Sequence, residues 1–140
     1  MPYDFHWQDD EHSIIRIDVH GDVTWEEHYI SLDAICKALS SADHHIDVIY
    51  NTGQGKLPPG SPLPHFQAVT QKLAQYSNMG RIYSVTGGGV LFILSKTMVE
   101  ILMRTSGIDP AHNGGFLKSI EATVEAIYKD RSQIRNQSES

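Results

Sequence analysis

The chain has 140 residues, enough for one domain with an ordinary buried core. One cysteine excludes a disulfide framework, and 17 acidic against 11 basic residues give −6, the wrong sign for a nucleic-acid groove or an anionic membrane surface. The most apolar run, Val90–Leu94, is five residues, too short for the ~20 of a membrane helix.

Tyr3, Phe5 and Trp7 alternate with polar residues, as do Ile15, Ile17 and Val19. That period of two predicts a pair of half-buried strands, joined antiparallel through the polar turn Asp9-Asp10-Glu11-His12 and ended by Gly21-Asp22. Thr24 with Glu27 three residues later is a capping-box pattern, and Trp25, Tyr29, Leu32, Cys36 and Leu39 continue it as the apolar face of a helix. After the loop Ser40–His45, the β-branched run Ile46–Tyr50 suits a central strand.

Asn51–Gly60 is rich in glycine and proline, and Ser61-Pro62 then opens a second helix with Leu63, Phe66, Val69 and Leu73 on its buried stripe, ending near Asn78. Arg81–Thr86 reads as a strand broken by Gly87-Gly88-Gly89. Between Val90 and Thr105 the spacing of Leu91, Leu94, Met98, Leu102 and Thr105 fits a helix stopped by Gly107, with a strand over Val90–Leu94 as the rival. The surplus apolar residues Phe92, Ile93, Val99 and Met103 would bury a second side, line an apolar pocket or form a homodimer surface. Gly115–Lys118 is a last short strand, and Ser119 caps a final helix through Ile120, Val124, Ile127 and Arg131.

The predicted order is ββαβαβαβα: an α/β fold with an N-terminal antiparallel hairpin, a mostly parallel sheet and helices packed on it. Residues 1–132 form one domain, followed by a frayed polar tail over 133–140. Met1-Pro2-Tyr3-Asp4 lacks the basic and apolar regions of a signal peptide, so a cytoplasmic protein is expected.

A hairpin leading into β-α repeats, with a hydroxyl-bearing turn after the third strand, resembles the STAS superfamily, in particular its SpoIIAA-like members of the STAS/SEC14 type. The resemblance spans about Phe5 to Tyr128 and rests on element order and hydrophobic pattern. It implies a regulatory or interaction module. In phosphorylatable members a serine or threonine follows an aspartate where the helix after the third strand begins. Here Asn51 precedes Thr52 and the helix begins only at Ser61, so Thr52 and Ser61 are the phosphorylation candidates. Other relatives imply a small or lipid-like ligand.

Two glycine-rich turns are the best places for a site. Thr52-Gly53-Gln54-Gly55-Lys56 follows the third strand and Thr86-Gly87-Gly88-Gly89 follows the fourth. With both strands parallel, the turns share the sheet edge at which open α/β folds bind ligands. Thr52, Gly53, Gly55, Lys56, Thr86, Gly87, Gly88 and Gly89 are therefore the candidate ligand-binding residues. Their backbone N–H groups would face an anion, and Lys56 would neutralise its charge. Neither turn completes a Walker or dinucleotide fingerprint, and glycine serves equally in plain connections.

The histidines of Asp43-His44-His45 and Asp18-Val19-His20 have no HExxH or cysteine-pair spacing, so neither metal nor cofactor is expected. Protonating all eight histidines would turn −6 into +2. Cys36 reads as a buried structural thiol, and no serine nucleophile elbow is present. The expectation is a non-catalytic STAS-like module that binds a protein partner or a small anionic or lipid-like ligand. The alternative is a small enzyme whose site lies between the two turns, with Thr52, Lys56 and Thr86 as its polar groups.

Overall fold

The computed structural model describes residues 3–21, 23–51, 63–85, 114–117 and 119–139, together with Thr97, Glu100, Ile101 and Arg104. Among the described residues five strands form one sheet: β1 (Tyr3–Trp7), β2 (Ile14–Val19), β3 (Ile46–Asn51), β4 (Met79–Val85) and β5 (Gly114–Leu117). Their order across the sheet is their order in the chain. β1 pairs antiparallel with β2, and every later pairing is parallel. The described helices are α1 (Trp25–Ser41), α2 (Leu63–Leu73) and α3 (Ile120–Glu139). The sheet is therefore the mixed α/β sheet expected from the alternation of strand and helix patterns. Thr97, Glu100, Ile101 and Arg104 have helical backbone, whereas Val90–Leu94 lies outside the described residues.

The hairpin is held by its own turn. Asp9 Oδ1 accepts from the N–H groups of Ser13 at 2.9 Å and Ile14 at 3.0 Å, and Asp9 Oδ2 accepts from the Ser13 hydroxyl. Burial opposes ionisation of Asp9, but these hydrogen bonds outweigh it and hold its pKa below the ordinary value. His12 takes a left-handed φ of 56°, and its ring stacks on Trp7 with centroids 4.5 Å apart.

Alternation along the strands divides the core in two. Ile15, Ile17, Ile46 and Val48 face α1 and α2, where they meet Leu32, Ile35, Cys36, Leu39 and Leu73. Tyr3, Phe5 and Trp7 extend that layer across β1. Ile14, Ile49, Tyr83 and Val85 point to the other face and are covered by α3 through Ile127. α1 and α2 lie on one side of the sheet, as successive crossovers of one hand between neighbouring parallel strands require. The last helix closes the other side.

Three element ends differ from the sequence expectation. α2 stops at Leu73 rather than near Asn78, because Gln75 and Tyr76 form tight turns back to Lys72 and Leu73. Asn78 then ties three carbonyls, those of Leu39, Ala42 and His44. β4 begins at Met79, two residues before the predicted Arg81, with a register break opposite Asp47. The backbone of α3 continues helical to Glu139, through the polar stretch that the sequence assigns to a tail.

Candidate functional site

α1 starts where its sequence pattern says. Glu27 N–H donates to Thr24 Oγ1 at 3.1 Å, and Thr24 N–H donates to Glu27 Oε1 at 3.0 Å. This capping box fixes the first turns of α1 close to the carboxyl ends of the parallel strands. α2 begins near the same edge, two residues before His65, and Tyr50 is the penultimate residue of β3. These three elements bring together five rings: Trp25, His28, Tyr29, Tyr50 and His65.

Trp25 and His65 stack at 4.2 Å with 12° between their planes, and Trp25 and His28 lie 5.7 Å apart. Tyr29 Oη meets His65 Nδ1 at 2.7 Å, which links α1 to α2. Tyr50 Oη meets His28 Nδ1 at 2.6 Å and Ser31 Oγ at 2.9 Å. Ser31 is 1% exposed and donates its hydroxyl proton to the His28 carbonyl at 2.7 Å. The five rings themselves are half-buried, so they wall a site while remaining reachable. Burial lowers the His28 pKa, with Glu27 opposing only in part, and raises that of Tyr50. Both groups are therefore neutral near pH 7.

The glycine-rich segments named from sequence, Thr52–Lys56 and Thr86–Gly89, lie outside the described residues, as does Ser61. The residues that precede them are described. Asn51 and Val85 are register partners at the ends of β3 and β4, so both segments leave the sheet from adjacent positions. The ring cluster lies near that edge, on residues the sequence pattern used otherwise. Trp25 and Tyr29 were placed on the core stripe of α1, and His28, Tyr50 and His65 carried no motif. Their positions at helix starts and a strand end were the available signal, but only the fold joins α1, β3 and α2.

A second polar group occupies the other face of β1 and β2. Asp18 accepts from Arg16 Nε and Asn51 Nδ2, each at 2.9 Å, with His6 Nε2 at 3.4 Å. Burial opposes the Asp18 carboxylate, yet these donors outweigh it and lower its pKa. Asp4 pairs with His20 at 2.6 Å, and that hydrogen bond is the main cause of its lowered pKa. Beside this strip, Gln8, Arg16, Ile120, Glu121, Val124 and Glu125 line an open cleft of about 540 Å³. His44 Nε2 bonds the His12 carbonyl at 2.9 Å. Among the described residues no group of three metal-ligating side chains converges, and Cys36 is buried.

Comparison with known proteins finds no matching family model, no matching curated protein and no matching solved structure. No helix among the described residues is long and apolar enough to cross a membrane.

Proposed function

We propose that this chain is a STAS-like regulatory module that binds a small ligand at the carboxyl edge of its sheet. The observation that carries the reading is the half-buried cluster of Trp25, His28, Tyr29, Tyr50 and His65 where α1, β3 and α2 meet. Open α/β sheets bind ligands outside the carboxyl ends of their strands, because helix starts and loops leave a crevice there. An antiparallel hairpin followed by parallel strands supports the STAS-like part of the reading. Between the ligand classes expected from sequence, the cluster favours the apolar one. Its walls are rings, and its described residues include neither lysine nor arginine.

Native mass spectrometry of the purified protein, set against its denatured mass, tests the reading. Extra mass that leaves on denaturation, and is reduced in Trp25→Ala, is the expected outcome. A bare chain in both proteins, with no change in melting temperature on adding small aromatic compounds, removes the ligand and leaves a protein partner.

A further inference from the structure

The protons of the cluster can be counted. Ser31 has one hydroxyl proton, and a carbonyl can only accept, so the 2.7 Å contact with the His28 carbonyl uses that proton. Ser31 Oγ must then accept from Tyr50 at 2.9 Å, which uses the single phenolic proton. Tyr50 Oη is left as the acceptor for His28, so Nδ1 of His28 donates at 2.6 Å. The chain runs from the His28 ring through Tyr50 and Ser31 back to the His28 backbone.

One consequence concerns the other nitrogen of that ring. A neutral imidazole with its proton on Nδ1 presents a lone pair at Nε2. Among the described residues, Nε2 of His28 has no hydrogen-bond partner, while the ring is only half-buried. An anion placed there would meet that lone pair and be repelled. The neighbouring carboxylate, Glu27, serves the helix cap through Oε1, which accepts from the Thr24 N–H and hydroxyl at 3.0 and 3.1 Å. The lone pair calls for a hydrogen-bond donor, and walls made of rings favour an uncharged one. The neighbouring rings favour a ring as the body that carries it, through stacked or edge-on contact.

We propose that the cluster takes an uncharged ring-bearing ligand whose N–H or O–H donates a hydrogen bond to Nε2 of His28. This deepens the ligand-binding reading above and rests on it.

Indole and 1-methylindole are suitable probes because they share a ring system and differ at the donor. Long-range proton–nitrogen NMR on the full chain at pH 7.5 reads which imidazole nitrogen of His28 carries the proton. The expected result is a proton on Nδ1, a shift of Nε2 on adding indole, and about fivefold tighter binding of indole than of 1-methylindole. In His28→Phe the preference disappears while ring binding persists. The comparison of the two probes on the unaltered chain stands even if that variant fails to fold. A proton on Nε2 overturns the proposal. Equal binding of both probes at the cluster also overturns it, while leaving the ring-binding site intact. If neither probe moves the resonances of Trp25, His28 or Tyr50, the proposal and the reading it rests on both fall.

Discussion

A Cβ at position 80 would lie 2.2 Å from Oδ1 of Asp47 and 3.0 Å from the Ile46 carbonyl oxygen. Glycine is needed there because Gly80 and Arg81 together oppose Asp47, an extra-residue bulge in the β3–β4 ladder. Asp47 repairs the bulge by accepting the Arg81 N–H at 2.7 Å. Gly80→Ala is expected to destabilise the protein by about 1–3 kcal/mol in urea unfolding. In an Asp47→Ala background most of that penalty should vanish, because the atom met first is gone. An equal cost in both backgrounds would place the strain elsewhere.

His28 makes a second prediction at this scale. Its folded-state pKa lies below the ordinary 6.5 because burial disfavours the cation. The unfolded chain therefore binds the proton first as pH falls, so the His28 contribution is complete above about pH 6.5 and is lost below it. Wild-type unfolding free energy should fall faster between pH 7.5 and 5.5 than that of His28→Gln, measured by urea titration. Parallel pH profiles would contradict the burial effect.

At the scale of elements, α3 is fastened at its middle as well as packed. Arg131 reaches Asp47 Oδ2 through Nε at 2.9 Å and Nη2 at 2.8 Å, and Ser13 through Nη1 and Nη2, both at 3.0 Å. One guanidinium thus joins α3 to the starts of β2 and β3. Lysine offers a point charge without this fork, so Arg131→Lys should lose about 1–3 kcal/mol and speed hydrogen exchange in α3. Unchanged exchange there would mean that Ile127 and its apolar neighbours suffice.

Elements were legible in the sequence where a local pattern carries its own physics. Thr24 and Glu27 form the expected capping box, and Ser119 caps α3 by accepting the Ala122 N–H at 3.1 Å. The alternation of Ile15 and Ile17 put both on the inner face. What escaped depended on partners far along the chain. β4 starts at Met79 rather than the predicted Arg81, and the Asp47 carboxylate against which Gly80 fits lies 33 residues earlier. α2 ends early because Gln75 and Tyr76 turn back on its last residues, and Asn78 then serves carbonyls of α1 and of the α1–β3 connection. The ring cluster escaped for the same reason, since Tyr50 and His65 meet α1 only in the folded chain.

At the scale of the molecule, the sheet separates two cores among the described residues. Ile14, Ile15, Ile17, Ile46, Val48 and Ile49 are all fully buried, so β2 and β3 carry buried residues on both faces. The second core depends on α3 alone among the described helices. Native-state hydrogen exchange should find α3 opening at lower free energy than β2 and β3, which exchange only with global unfolding. Equal opening energies would show that the two cores melt as one.

Sequential strand order also bears on how the protein is made. As the polypeptide leaves the ribosome, β2 finds β1 already emerged, β3 finds β2, and each later strand meets a finished neighbour. No described strand must wait for a distant stretch of chain to be translated before it can pair. The layer closed last is the α3 side. Until that helix is released, Ile14, Ile49, Tyr83 and Val85 lack its cover on the nascent sheet, and this is the interval in which a chaperone would have most to do.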